Sequence, residues 1–193
     1  MVYIERKARS VTFPVITVSG APGSGKSTLC RAIALRTGFS YLAFDDFSKI
    51  TMQPINDLRL WIDRGAKFDE IFDPQFRSAI LFSAKTSPVI VETPFGPLHR
   101  QEGVFNVESI WLDVEADIAL ARVIKEEVRR SDWGSVDEMQ SWCMQYLQNY
   151  QDFVRQILAK QAAQVRPLCS IVLNATMSPS DLLDEAISKL SLE

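Results

Sequence analysis

The chain has one histidine, His99, in 193 residues. That excludes a histidine-rich metal centre. Its three cysteines, Cys30, Cys143 and Cys169, are odd in number and widely spaced. They form neither a zinc pattern nor a disulfide framework, and reduced, buried thiols in a cytoplasmic protein are expected. No apolar run approaches the roughly 20 residues that span a membrane. The charged N-terminal segment is not followed by an apolar stretch, so no signal peptide is expected. Positive charge is not in excess: the formal net charge is -3, which argues against nucleic acid as the main partner. Repeats and low-complexity segments are lacking, and no linker divides the chain. The whole of 1–193 is expected to be a single domain. With 47% hydrophobic and 23% charged residues, the composition suits one ordinary core.

Against these absences stands one dense signal. Residues 20–28 read Gly20, Ala21, Pro22, Gly23, Ser24, Gly25, Lys26, Ser27 and Thr28, a full match to G-x-x-x-x-G-K-[ST]. Chemistry explains each residue type. The glycines let the backbone turn tightly, so that its N–H groups close around phosphate oxygens. Lys26 is a point charge able to reach the β- and γ-phosphates, and it is expected to be exposed until phosphate arrives. The Ser27 hydroxyl suits Mg²⁺. The helix beginning there turns its positive dipole end to the same anion. Context supports the match. A β-branched run, 15–18, precedes the loop, and 26–37 has helical spacing and ends at Gly38, a C-terminal cap. ATP and Mg²⁺ are therefore the expected cofactors.

Apolar runs at 41–44, 88–92, 109–113 and 170–173 join 15–18 as strands. Helices are expected over interrupted 55–85, over 115–130 with Val114, Ile118, Ala121, Lys125 and Val128 down one side, from Ser135 to about Gln164, and after Ser178-Pro179. Ser135 and Glu138 read as a capping box. Cys169 is expected to open the last strand, and residues 1–13 to form an arm or short extra strand. Alternating strands and helices imply an α/β fold: three layers, with a central five-stranded parallel sheet flanked by helices.

Ligands of such sheets bind at the carboxyl ends of the strands. Asp45-Asp46, Glu92 and Asp113 all stand there. Acids beside a triphosphate make sense as a metal shell and a base. Asp113 has a second reading as a cap for the helix beginning near Glu115, and Asp45 as a cap for a turn. Arg122 and Arg129 are seven residues apart on one helix face with Glu126 between them. They read as a lid that neutralises transferring phosphate or as a salt-bridged surface. The Trp133-Gly134 break favours the lid. His99 and Arg100 read as surface loop or substrate contact. Trp61, Phe68, Phe72 and Phe76 read as pocket walls or core.

Gly20–Thr28, the strand ending in Asp45-Asp46-Phe47, and Val89-Ile-Val-Glu92 together resemble the uridine kinase and nicotinamide riboside kinase branch of the P-loop kinases. The resemblance extends through Leu112-Asp113 and the arginine-bearing helix. It implies a P-loop kinase fold with a helical lid at 122–137 and an acceptor-binding insertion at 47–82. It implies Asp45 as the base that takes the acceptor's hydroxyl proton, with Asp46 as the fallback, and Glu92 as a holder of Mg²⁺. Asn174 and Ala175 follow the last strand, where such kinases wrap adenine with backbone. Two departures stand out. Strand three runs on as Glu92-Thr93-Pro94 where these kinases have Glu-Gly, and the lid lacks their arginine-rich run.

The expected function is an ATP-dependent kinase acting on a hydroxyl of a small molecule. The acceptor is nucleoside-like, another hydroxyl metabolite or a phosphorylated compound, with Asp45, Asp46, Trp61, Phe72 and Arg77 as its contacts. Alternatives are a nucleoside monophosphate kinase and a nucleotide-dependent ATPase or switch. A switch GTPase needs Asn-Lys-x-Asp, which is lacking. A cytoplasmic monomer or small homo-oligomer, without nucleic-acid or membrane partners, completes the expectation.

Overall fold

A computed structural model describes residues 13–47, 55–68, 71, 73–99, 107–130 and 132–192. The terminal arm, Phe72, Arg100 and the side chain of His99 lie outside the described residues. Five strands form one all-parallel sheet: β1 (Val15–Gly20), β2 (Ser40–Ala43), β3 (Val89–Glu92), β4 (Val107–Asp113) and β5 (Ile171–Asn174), in the order β2-β3-β1-β4-β5. All six residues of β1 are buried. A continuous apolar strand belongs in the middle of a sheet covered on both faces. β1 runs two residues further than its apolar core predicts, because Ser19 and Gly20 continue the pairing with Trp111 and Leu112 of β4.

Alternation along the strands sorts two cores. Ile16 and Val18 point to a layer made by α1 (Lys26–Thr37) and α7 (Pro179–Leu190), with Leu29, Ile33, Leu182 and Ile187. Val15 points to the other face, against Phe44, Phe76, Phe95, Trp111 and Val165. That face carries α3 (Pro74–Ser83) and α6 (Arg155–Val165). The three expected layers are present. Gly38 ends α1 in the left-handed conformation, its N–H donating to Ala34 O. The Ser178 Oγ accepts from Asp181 N at the start of α7, with Pro179 in the first turn.

Several local expectations are corrected. α4 (Ala116–Val128) buries Ala119, while Ala121, Lys125 and Val128 are exposed. Leu120 and Val123 beside Ala119 are half-buried, as are Val114 and Ile118 of the expected stripe; the lysine in that stripe marked where it turns to water. The helix after Ser135 is not uniform. α5 (Val136–Asn149) leads through a π-helical turn, Tyr150–Val154, into α6. α5 buries no residue, and the buried positions come later, at Phe153, Gln161 and Val165. The capping box is half formed. Ser135 Oγ accepts from Glu138 N, but Glu138 Oε2 accepts from Gly134 N instead of Ser135 N. Cys169 precedes β5 instead of opening it. Only Cys30 is fully buried; Cys143 and Cys169 are half-buried. Phe68 and Phe76 are core residues: Phe68 packs on Phe95 and Phe76 on Phe44. Trp61, on α2 (Ile55–Asp63), is half-buried and meets the edge of Phe68 at 5.1 Å. No helix among the described residues is long and apolar enough to cross a membrane.

Candidate active site

The loop between β1 and α1 lies over the carboxyl end of the central strand. Its path depends on Gly23, whose φ is +78°. A Cβ there would stand 2.2 Å from the Ala119 carbonyl oxygen. No side chain fits, so the glycine lets the loop press against α4. Gly25 precedes α1 without a side-chain cap, so the first N–H groups of that helix remain available to an anion.

Lys26 is not fully exposed, contrary to expectation. It is half-buried, and its Nζ donates to Ala21 O at 3.0 Å. Its own loop supplies an acceptor for a charge that would otherwise lie bare in a desolvated place. That burial lowers the Lys26 pKa, while Glu92 and Asp45 pull it back up. The lysine therefore shares an electrostatic cluster with both carboxylates expected at the site.

Glu92 ends β3, next to β1 in the sheet. Its Oε1 accepts from the Ser27 hydroxyl at 2.8 Å and its Oε2 from the Tyr41 hydroxyl at 2.5 Å. Burial, reinforced by the bond to Glu92, holds the Tyr41 phenol protonated well above its ordinary range. Sequence reasoning missed Tyr41. Its role depends on β2 pairing beside β3, with Ala43 opposite Glu92, and no local pattern announces that register.

Asp45 lies in a short 3₁₀ turn, Phe44–Asp46, directly after β2. Its side chain caps no helix and makes no hydrogen bond or ion pair among the described residues, which removes the turn-cap reading. It keeps access to solvent. The surrounding protein nonetheless withdraws enough water to raise its pKa; Glu92 and Asp46 push the same way, and Lys26 opposes them. Asp46 is beside it in the turn and is also exposed.

Asp113 is neither a helix cap nor part of this cluster. Its carboxylate accepts from Trp111 Nε1 and Arg166 Nη2, each at 3.2 Å. Glu115 occupies the N-cap of α4.

On the other side of the loop lies a groove of about 480 Å³. Gly23 to Leu29 line it together with Arg122, Glu126, Ala175, Met177 and Pro179. Arg122 Nη1 donates to Ala175 O at 2.9 Å and approaches Gly23 O at 3.5 Å. The guanidinium thus ties α4 to the loop after β5 and to the phosphate loop. Arg129, at the C-terminus of α4, is exposed and lies outside the groove. Among the described residues no ion pair joins Arg122 or Arg129 to Glu126. The surface pairs belong instead to Arg130, with Glu127 and Asp132. Asn174 is exposed, and its Oδ1 accepts from Thr176 N and Oγ1. Trp61 and Arg77 stand in the segment between β2 and β3, both half-buried. The Trp61 Nε1 finds no partner among the described residues.

No protein-family model matches the chain, and no curated protein matches it in sequence. Solved structures do. A sugar kinase from Janibacter sp. superposes with a TM-score of 0.51 at 21% identity, covering 93% of this chain and 95% of that one. A deoxyadenosine kinase from M. mycoides, with bound dATP, superposes with a TM-score of 0.52 at 16% identity, covering 92% and 99%. The fold is that of the P-loop kinases.

Proposed function

We propose that the protein is an ATP-dependent phosphotransferase that moves the γ-phosphoryl group to a hydroxyl of a small molecule. The observation that carries this reading is the cluster at the ends of β1, β2 and β3. A phosphate loop with its lysine, a Ser27–Glu92 pair and an uncommitted Asp45 carboxylate all share one electrostatic field. The fold held in common with a sugar kinase and a deoxyadenosine kinase supports the same reaction class.

Each residue has a task in that reaction. Loop N–H groups and Lys26 hold the triphosphate. The groove beside Arg122 and Ala175, of about 480 Å³, is assigned to the base and ribose. Ser27 and Glu92 fit Mg²⁺: both offer hard oxygen atoms already 2.8 Å apart. No group of three or more acidic, histidine or cysteine residues forms a cage among the described residues, and Mg²⁺ commonly takes one or two protein oxygens and completes its shell with phosphate and water. When bound, it would neutralise charge on the transferring phosphate.

Asp45 takes the proton from the acceptor hydroxyl as that oxygen bonds to the γ-phosphorus and the bond to ADP breaks. Its raised pKa makes it a better proton acceptor than an ordinary surface carboxylate, provided it remains ionised at the working pH. Segment 47–82 is assigned to acceptor binding, with Trp61 and Arg77 as described candidates, and 122–137 to the lid. The aromatic Trp61 and the cation Arg77 favour a polar acceptor bearing a flat ring, such as a nucleoside. A thermal-shift screen of nucleosides, sugars, vitamins and nucleoside monophosphates, with a non-hydrolysable ATP analogue present, tests this assignment. A nucleoside hit is the expected result. Hits confined to monophosphates contradict the hydroxyl acceptor.

A further inference from the structure

Tyr41 and Glu92 stand on one face of neighbouring strands. β2 and β3 pair in parallel, with Tyr41 opposite Ile90 and Ala43 opposite Glu92. Side chains two residues apart on a strand share a face, so Tyr41 and Glu92 are diagonal neighbours. The Tyr41 ring packs against the core beneath α1, and the Arg31 guanidinium stands 5.9 Å from the ring centre. With the ring held from both sides, its hydroxyl donates to Glu92 Oε2 at 2.5 Å. An ionised carboxylate only accepts, so the phenol is the donor.

The two oxygens of Glu92 are thereby divided. Oε1 accepts from the Ser27 hydroxyl, on the phosphate loop, and Oε2 accepts from Tyr41, on β2. Bonds to two partners on different elements resist rotation of the carboxylate about its last carbon–carbon bond. Oε1 is the oxygen beside the phosphate loop, and Oε2 is committed to a charge-assisted hydrogen bond. Glu92 therefore has one oxygen to offer a cation there, not two.

That number separates cations. Mg²⁺ is small, demands octahedral geometry and is held by few carboxylate oxygens together with phosphate and water. Ca²⁺ is larger, takes about six to eight oxygens and readily accepts both oxygens of one carboxylate. A triphosphate chelates either ion, so the protein must make the distinction. We infer that Tyr41 selects the metal: by holding Glu92 Oε2 it limits the glutamate to one ligating oxygen and so favours Mg²⁺ over Ca²⁺. The inference rests on the reading of Glu92 as a holder of Mg²⁺ in phosphoryl transfer. Tyr41 acts through Glu92 and is a positioning residue.

Calorimetric binding of a non-hydrolysable ATP analogue to the full chain, with saturating Mg²⁺ and again with saturating Ca²⁺, tests this without turnover. The wild type should bind the Mg²⁺ complex more tightly. Tyr41→Phe keeps the ring and removes only the donor. It should bind the Ca²⁺ complex about tenfold more tightly than the wild type does, while the Mg²⁺ complex changes by less. Tyr41→Leu repeats the measurement should the phenylalanine variant fail to fold. A merely structural role would weaken both complexes alike, and that result, or an unaltered preference between the ions, would overturn the inference. Glu92→Gln, run in parallel, separates this failure from failure of the reading beneath it. Weakened binding of both complexes in Glu92→Gln with an unaltered preference in Tyr41→Phe overturns the selector alone. Binding to Glu92→Gln that equals the wild type with either ion removes Glu92 from the metal shell, and the selector with it.

Discussion

The Ser27 hydroxyl donates a 2.8 Å hydrogen bond to Glu92 Oε1, joining the start of α1 to the end of β3 across 65 positions of sequence. Two oxygens that close, one on the phosphate loop and one on the neighbouring strand, are what a phosphate-bound Mg²⁺ requires of a protein. Glu92→Gln should keep the fold and raise the Mg²⁺ concentration needed for half-maximal activity by about tenfold to hundredfold. Tyr41→Phe removes only the second bond to the same carboxylate and should have a smaller effect. An unchanged magnesium titration in Glu92→Gln would take Glu92 out of the metal shell.

Lys26→Ala should remove most turnover while leaving the melting temperature near that of the wild type. Its Nζ holds only one carbonyl, Ala21 O, and burial already disfavours its charge, so losing it costs the empty protein little. Steady-state kinetics alongside calorimetric melting separates the two effects. A large drop in stability would make the lysine structural.

Asp45→Asn should cut kcat by about 10² or more, with a modest effect on ATP binding. The same substitution has an opposite signature in stability. The folded-state pKa of Asp45 is raised, chiefly by burial and then by Glu92, above the ordinary 3.8. The folded protein therefore binds more protons than the unfolded chain between those two pKa values, and stability falls as pH rises through that window. At neutral pH the asparagine variant should be the more stable of the two, and its advantage should vanish below the ordinary carboxylate range. Wild-type kcat should fall as pH drops through the raised pKa. Melting curves from pH 3 to 8 check the sign, and loss of stability at neutral pH in Asp45→Asn would contradict it.

Arg122 and Arg129 looked equivalent on a helical wheel, but the structure separates them. Arg122 bonds to Ala175 O beside the phosphate loop; Arg129 is exposed and away from the groove. Arg122→Ala should lower kcat/KM for ATP by about 10². Arg129→Ala should stay within about twofold, as for an ordinary surface substitution. A large loss in Arg129→Ala would require the lid to close far beyond the present arrangement.

Gly23→Ala should destabilise the chain by more than about 1 kcal/mol and weaken nucleotide binding. The methyl group meets the Ala119 carbonyl at 2.2 Å, on a backbone that only glycine adopts without strain. Urea denaturation with and without ATP measures both effects.

Much of the fold was legible because its signals are local. The apolar run of β1, the glycine spacing of the loop and the caps at Gly38 and Ser178 each follow from a few adjacent residues. Glu92 and Asp45 were legible because strand ends in an α/β sheet converge on one edge. What stayed hidden depends on contacts between distant segments. Tyr41 reaches Glu92 only through the pairing of β2 with β3. Gln161 reaches Pro94 O across 67 positions. Phe68 and Phe76 have the composition of a pocket wall, yet packing against Phe95 and Phe44 makes them core. The π-helical turn leaves no mark in the sequence, since no proline or glycine stands anywhere in 136–165.

The central claim is phosphoryl transfer from ATP at the Lys26–Asp45–Glu92 cluster. Its most direct test is incubation with γ-labelled ATP, Mg²⁺ and a panel of hydroxyl-bearing acceptors, following the label into product for the wild type and for Lys26→Ala and Asp45→Asn. The predicted result is slow ATP consumption alone, fast consumption with one acceptor class, label on that acceptor, and loss of transfer in both variants. Label released only as inorganic phosphate, at a rate no acceptor changes, would contradict it.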